Sequence, residues 1–525
     1  MTAHIVVLGA GFSGSALAVQ LLARTRCAVT LVDASGVFGR GLAYSTRDPA
    51  HLLNVRAGRM SLFPDDPDHF VRSLKASGRP EGPDDFVPRM VYGDYVQAVL
   101  AEAEAAAPGR LTRVTGRAAS VEAEAAPAVV RLEDGRELCG DAVVLATGNG
   151  PPAPLDLLGL SALGTGYVED PWAPGALDGI AAGDDVVLVG AGLTMIDVVL
   201  SLAERGWTGR GTAISRHGLL PRPHRGSEAE RPGDPPGGAT LSQRLHAFRQ
   251  AAARDGGWHT PMFRLRPHLQ ALWRGASEAE QRRFLRHLRP YWDVHRHRTA
   301  PQVGARIQGL IDAGRLEVAA GRLLAVESGA HGFALRWRRR GGGRAVARGR
   351  KLINCTGPRG DVTRSEDPVL RDLVARGRGR PDRHRLGLDV DERARVLDAE
   401  GRPQARLFAM GPPTRGTFWE IVAVPEIRGQ AADLAETLGR LRRSAGVLED
   451  VFLKHPREVG ESYVEHAAVA GKVGAQLLWA GAACLIHAVL PAAFPKTASQ
   501  TIIRLNEKVT RRDRCREKEG GAPLP

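Results

Sequence analysis

His4-Ile5-Val6-Val7-Leu8 is a short apolar run rich in β-branched residues, which predicts a strand buried on both faces. Gly9-Ala10-Gly11-Phe12-Ser13-Gly14 follows, then a helical pattern over Ser15 to Ala23 and a second strand, Ala28 to Val32, ending in Asp33. The same alternation returns in the middle of the chain. Asp185 to Val189 predicts a strand, Gly190-Ala191-Gly192-Leu193-Thr194-Met195 a glycine turn, Ile196 to Ala203 a helix and Gly211 to Ile214 another strand. Two further apolar runs, Ala142 to Ala146 and Lys351 to Cys355, each pass into a Thr-Gly pair, Thr147-Gly148 and Thr356-Gly357. Strand–turn–helix–strand units of this kind predict parallel sheets covered by helices, an α/β fold.

The end of the chain has another pattern. Val473 to Phe494 contains no Asp, Glu, Lys or Arg, and as a helix it would match the roughly 30 Å hydrocarbon core of a bilayer. Pro491 interrupts that run and His487 is ionisable. A single span would also export Lys496, Arg504, Lys508, Arg511, Arg512, Arg514, Arg516 and Lys518, against the positive-inside rule. The pattern favours an interfacial helix or a buried helical hairpin, with a peripheral membrane or partner contact through 473–494.

Composition narrows the function classes. A length of 525 residues implies two or three domains, and 43% hydrophobic with 25% charged residues is ordinary for a globular protein with a real core. Disorder and a polytopic membrane protein are excluded. The formal charge of +14 raises the question of nucleic acid, but only seven of the 72 basic residues are lysines. Arginine in that excess, beside abundant Ala and Gly, reads as codon usage rather than a phosphate-binding face, so no nucleic-acid partner is expected. Five widely spread cysteines without a CxxC point to a reducing compartment. Without a signal-peptide layout at the N-terminus, the expected location is cytoplasmic, with membrane association through the tail as the open addition.

The glycine motifs carry the chemistry. Gly9 permits the tight turn, Gly11 lets a pyrophosphate approach the backbone, and Gly14 lets helix and strand pack closely. The helix start at Phe12 and Ser13 offers unpaired N–H groups and a positive dipole end. Asp33, nineteen residues after Gly14, is placed to take both hydroxyls of an adenosine ribose. In the second motif, Gly190, Gly192, Leu193 and Thr194 repeat the phosphate turn, with Met195 at the third glycine position. Its following strand ends in Ser215-Arg216 instead of an acid, a pair suited to a 2′-phosphate. The coenzyme expected there is NADPH, with NADH the alternative and Arg222 and Arg225 as further clamps. Two dinucleotide sites in one chain predict a flavoprotein: a Rossmann-like FAD domain with an inserted NADPH domain, the two Thr-Gly turns marking the crossings. The expected divisions are 1–165 and 351–441 for FAD, 166–350 for NADPH with a substrate-side insertion, and 450–525 for a helical C-terminal domain.

The runs "GRGLAYSTRDPAHLLNVRAGRMSLF" (Gly39 to Phe63), "VVLVGAGLTMIDVVLSL", "ISRHGLLPRPH", "RPYWDVHRHRTAP", "INCTGP" and "GTFWEIVAVPEIRGQA" resemble a bacterial FAD/NAD(P)-binding family related to FAD-dependent urate hydroxylase and to the aspartate N-monooxygenase that makes nitrosuccinate. The tail resembles a short bacterial domain family of unknown function. The first resemblance implies FAD and NAD(P)H, places Gly39, Arg40 and Gly41 near the FAD phosphates, and places Asn54 and Met60 beside the flavin ring. Met60 equally reads as core filler. In the third FAD segment, Pro412 stands where many such flavoproteins have an aspartate, so backbone at Gly411 must serve. A helix over Glu426 to Leu438, after Pro425, would aim its N-terminus at the flavin N1–O2 edge. Tyr291 to Arg298 reads either as a structural helix with paired arginines or as an anion clamp, and no metal is expected there.

The expected function is an FAD-dependent, NAD(P)H-driven oxidoreductase, a monooxygenase using O2 and a C4a-hydroperoxyflavin on a small nitrogen-containing substrate such as an amino acid or purine. No catalytic residue is nominated. A membrane-associated flavin or quinone reductase and an idle flavoprotein module remain the alternatives.

Overall fold

The computed structural model describes residues 2–226, 230–441, 462–497 and 499–505. The chain divides into a body, Thr2–Arg442, and a second unit that begins at Arg443.

The body holds three sheets. The first contains β1 (His4–Leu8), β2 (Ala28–Asp33), β3 (Leu111–Thr115), β7 (Ala142–Leu145), β15 (Arg395–Leu397) and β16 (Pro403–Ala409), in the order β15-β16-β7-β1-β2-β3. All its pairings are parallel except β15 with β16. The small antiparallel sheet β4 (Ala118–Glu122), β5 (Ala128–Leu132) and β6 (Glu137–Gly140) lies in the chain between β3 and β7. The third sheet contains β8 (Tyr167–Val168), β9 (Val186–Val189), β10 (Gly211–Ser215), β11 (Leu316–Gly329), β12 (Gly332–Arg339), β13 (Arg344–Gly349) and β14 (Lys351–Asn354). Its order is β13-β12-β11-β10-β9-β14-β8, parallel from β11 to β8 and antiparallel across β11-β12-β13.

The apolar runs became central strands because both faces are covered. Ile5, Val6 and Val7 of β1 are fully buried, as are Val187 and Leu188 of β9. The helix Phe12–Arg24 packs against helices Arg89–Ala106 and Val424–Gly439, and its residues from Phe12 to Leu22 are all buried. Helices between Leu241 and Asp312 form the insertion in the second half of the body.

Two expectations change. The strand at 351 was assigned to the returning FAD segment, but β14 pairs with β9 in register Lys351–Val186 to Asn354–Val189, inside the second sheet. An apolar strand followed by Thr-Gly does not say which sheet it joins; only the pairing does. Among the described residues the apolar run of the tail is not buried. Tyr463–Val489 is one helix, capped by reciprocal bonds between Ser462 and Glu465, and Leu478, Leu485 and Val489 are 78%, 73% and 81% exposed. At 27 residues it is about 40 Å long. It meets the length and mean hydropathy of a membrane-crossing helix, with a mean hydropathy of 1.5 over its most apolar window. The basic residues Lys508 to Lys518 lie outside the described residues.

Candidate functional site

The first glycine turn is made by backbone contact. Gly9 has φ +101°, and a Cβ there would stand 2.4 Å from the Ala146 carbonyl oxygen on the neighbouring strand. A Cβ on Gly14 would stand 1.8 Å from the Gly9 oxygen, so helix and strand touch as the spacing predicts. No side chain caps the start of helix Phe12–Arg24 at Gly11, which leaves its first amides facing the turn. The Ala10 amide donates to Asp33 Oδ2 (2.9 Å), while Ser35 donates to Oδ1 through its amide (2.9 Å) and hydroxyl (2.6 Å). Asp33 therefore stands at the mouth of the turn and is held there from both sides.

Three distant segments meet this turn. Gly39 donates to the Ala10 carbonyl (2.8 Å), and Gly41, at φ +55°, lies so close that a Cβ on it would reach Gly11 Cα at 2.7 Å. Gly411, at φ +69°, faces Ser13, whose Oγ would be 2.5 Å from its Cβ. The Gly411 amide donates to Gln430 Oε1 (2.7 Å) on helix Val424–Gly439, so the end of β16 is tied to that helix. Thr147 and Gly148 line a cleft of about 420 Å³ together with Pro358, Pro412 and Arg415.

Several side chains expected at the cofactor have other partners. Arg40 is buried and turned into the body: it donates to Gln97 Oε1 (2.9 Å) and to the carbonyls of Tyr44 and Met90 (both 3.3 Å), and pairs with Asp94. Its backbone borders the turn; its guanidinium braces helix Arg89–Ala106. Phe12 packs on Tyr44 and Tyr92, and Met60 is 2% exposed within the first core. Met60 is core filler by position. Asn54 presents its carbonyl to His224 Nε2 (3.0 Å), and burial, with Arg298 nearby, pushes the His224 imidazole down to about 3, so it donates as a neutral ring.

The second turn repeats the first. Gly190 has φ +115°, and its Cβ would stand 2.3 Å from the Cys355 oxygen beside β14, as that of Gly9 would from Ala146 beside β7. Helix Leu193–Glu204, with Thr194 in its first turn, also begins without a side-chain cap, and the space around Gly192 is open. Gly148 and Gly357 both take positive φ where the chain leaves β7 and β14. Thr356 is bonded back to Asn354, through its amide (3.2 Å) and hydroxyl (2.7 Å). At the end of β10, Ser215 Oγ accepts from the Gly218 amide (2.9 Å), and Arg216 is exposed with no ion pair among the described residues. Arg340, from the β12–β13 turn, bonds His217 Nδ1 (2.9 Å). Burial, Arg340 and Arg216 all push the His217 imidazole down, a sign of concentrated positive charge. The strand-end pair Ser215-Arg216 carries no local signal for Arg340, which the fold brings in from the β12–β13 turn. Arg225 is instead directed to the Gly256 carbonyl (3.5 Å).

The segment from 46 to 60 runs between the two halves. Arg89 donates to both carboxylate oxygens of Asp197 (2.7 and 3.1 Å), and Ser201 Oγ donates to Asp48 Oδ2 (2.7 Å). His51 Nε2 donates to the Asp197 carbonyl (3.0 Å). The lone acid in the otherwise apolar "TMIDVVLSL" was the available signal for this joint.

Helix Arg289–Arg296 carries paired arginines. Arg296 meets Glu420 (3.2 Å) and Glu426 (3.2 Å), Arg266 meets Glu426 (2.9 Å), and Trp292 Nε1 donates to Glu420 Oε1 (2.8 Å). This is the structural alternative for 291–298; Arg296 is no free anion clamp. Glu420 is fully buried at φ +67°, and although burial pushes its carboxyl up, His297, Arg296 and Arg415 hold it below the usual range. Helix Val424–Gly439 starts two residues earlier than the spacing predicts, and its first-turn Glu426 is taken by these arginines. Beside it opens a cleft of about 700 Å³ lined by Gly58, Arg59, Arg266, Arg428 and Gln430.

Two mainly parallel sheets, each with a glycine turn beside a Thr-Gly strand, define the two-dinucleotide-binding-domain flavoprotein fold. Residues 6–150 match the family described as FAD-NAD(P)-binding, and residues 449–512 match a family of unknown function, DUF6356. No curated protein sequence matches the chain. Among solved structures, the ornithine hydroxylase PvdA of Pseudomonas aeruginosa is similar at 16% identity and TM-score 0.58, covering 84% of this chain and 99% of that one. The L-lysine 6-monooxygenase of Pseudomonas syringae is similar at 16% and 0.58, covering 83% and 99%. The FAD-bound cadaverine monooxygenase DfoA of Erwinia amylovora is similar at 12% and 0.59, covering 83% and 94%. These likenesses establish the fold.

Proposed function

We propose that the chain is an FAD-dependent, NADPH-driven monooxygenase acting on a small nitrogen-containing substrate with O2. The observation that carries this reading is the pair of uncapped helix starts, one beside an acid and the other beside cations. The backbones of Gly9, Gly11 and Gly14 and the amides of Phe12 and Ser13 would hold the FAD pyrophosphate, with Asp33 on the ribose. Gly39, Gly41 and Gly411 close the same cradle, where a side chain would strike Gln97, the Gly11 backbone or Ser13 respectively. Thr147 and Gly148 line the neighbouring cleft, Asn54 would stand beside the flavin ring, and Arg40 and Met60 are buried in the body.

Gly190, Gly192, Leu193 and Thr194 would hold the second pyrophosphate, Ser215, Arg216 and Arg340 the 2′-phosphate, and Thr356 and Gly357 the returning crossover. On this reading the FAD part is 1–165 and resumes after β14, the NADPH part runs from 166 through β14, and the tail from about 450 is a unit of its own. Bound FAD would supply the hydride-accepting and O2-reducing chemistry, with NADPH as the hydride source. The chain's contribution is to fix both coenzymes on rigid backbone and to join the halves through Arg89–Asp197. Support for oxygen transfer to nitrogen comes from the similar structures, named for ornithine, lysine and cadaverine oxidation.

The test is NADPH and O2 consumption by the flavin-loaded protein against a panel of amines, amino acids and purines, with product mass determined. A substrate that accelerates NADPH oxidation and gains one oxygen atom supports the reading. Turnover that no substrate accelerates, giving only peroxide, points to a reductase.

A further inference from the structure

The helical insertion encloses a second cavity, which none of the coenzyme contacts uses. Its volume is about 500 Å³, within the range of small-molecule sites, and it lies among helix Leu241–Arg254, helix Arg289–Arg296 and the turns between them. Leu245, Phe248, Leu272, Trp273 and Trp292 face it, and the first three remain only partly covered or exposed by their own packing. Trp273 stacks on Trp419 at 4.5 Å, and Trp419 is also a wall of the charged cleft beside Glu426.

Few polar groups line it, and two of them are already paired; Tyr291 and His295, the latter bonded through Nδ1 to the Tyr291 carbonyl (2.6 Å), also belong to its wall. Gln281 spends its amide on the Trp273 carbonyl (2.8 Å) and its oxygen on His384 (2.8 Å), and Trp292 Nε1 is bonded to Glu420. A polar molecule lying against the leucine, phenylalanine and tryptophan walls would lose water with little compensation. Charge appears only at the edge. Arg244 donates through Nε to the Gly238 carbonyl (2.7 Å), which leaves its terminal nitrogens, and Arg249 is exposed with no ion pair among the described residues. The one acid at the edge, Glu280, accepts from the amides of Leu241 (3.0 Å) and Ser277 (3.1 Å).

We propose that this cavity binds an organic anion with an aromatic or long aliphatic body, its apolar part among Leu245, Phe248, Trp273 and Trp292 and its head at Arg244 and Arg249. Apolar walls give the affinity, and the two guanidinium groups select the head. The site stands independently of the monooxygenase reading, because binding requires neither NADPH nor turnover.

The test is calorimetric titration of the full-length, flavin-loaded protein with dodecanoate and, separately, with dodecanol. One dodecanoate per chain is expected. Leu245→Trp, which fills the cavity, should weaken both ligands at least about tenfold, and Leu272→Trp on another helix should do the same, with flavin absorbance and Tm confirming a folded protein. Arg244→Ala/Arg249→Ala should weaken dodecanoate about tenfold and leave dodecanol unchanged, as loss of a charge-assisted contact requires. Absence of saturable binding overturns the proposal. So does dodecanoate binding that survives both tryptophan variants, which would place it elsewhere, for example on the exposed helix Tyr463–Val489. Equal loss of both ligands in the arginine variant overturns the anionic head.

Discussion

The two halves of the body solve the same problem with different residues. In each, a central strand ends in a glycine of positive φ pressed against the carbonyl of a neighbouring strand end, Gly9 on Ala146 and Gly190 on Cys355. They diverge at the third motif position. Gly14 has no room for a methyl group, whereas Met195 occupies the equivalent place fully buried in the second core. They diverge again at the end of the next strand, which carries Asp33 in the first half and Ser215-Arg216, followed by His217 with its partner Arg340, in the second. On the proposed reading, backbone geometry would fix where each dinucleotide goes, and the charge at the strand end would decide which one.

The largest effect should come from forcing the first half toward the second. Gly14→Ala places a Cβ 1.8 Å from a carbonyl oxygen, so about 4 kcal/mol or more of stability should be lost along with bound flavin. Met195→Ala, by contrast, should cost about 2–5 kcal/mol through its cavity and leave the protein yellow. A yellow Gly14→Ala protein with unchanged Tm would end the comparison. Next comes the joint between the halves. Arg89→Ala leaves Asp197 buried without its bidentate partner, for an expected loss of about 3–5 kcal/mol in urea unfolding. Replacing both residues with leucine should recover part of that loss; no recovery would mean that Arg89 acts through something other than its charge.

Arg216→Ala should raise the KM for NADPH by about tenfold, since a charge-assisted contact is worth about 1.5 kcal/mol or more, with NADH nearly unaffected. Equal losses for both coenzymes would make Arg216 structural, and Arg340→Ala should show the same selectivity more weakly. The smallest effect concerns pH. His224 titrates near 3 in the folded protein and near 6.5 when unfolded, so its contribution is complete above about pH 6.5 and falls away as pH drops toward 3. The Tm should therefore decline on acidification, and His224→Gln should decline less steeply across the same range. Parallel curves would remove His224 from the acid response.

By itself the sequence determined both glycine turns, their helices and the strands that feed them, because those elements are written in neighbours: β-branched runs, glycine spacing, an acid one strand later. The Gly39–Gly41 segment was also legible, through its resemblance to a family, as lying near the first turn. Tertiary structure alone decided that β14 joins the second sheet, since apolar strands of equal length are interchangeable until they pair. It alone turned Arg40 inward to Gln97 and Asp94, brought Arg340 beside His217 from more than a hundred residues away, and set Arg296 against Glu420 and Glu426. It also left an apolar cavity among Leu245, Trp273 and Trp292 that their helical periodicity reads as ordinary core. The physical reason is common to all of these. A charge or an apolar side chain is specified locally, but its partner is whatever the folded chain brings within reach.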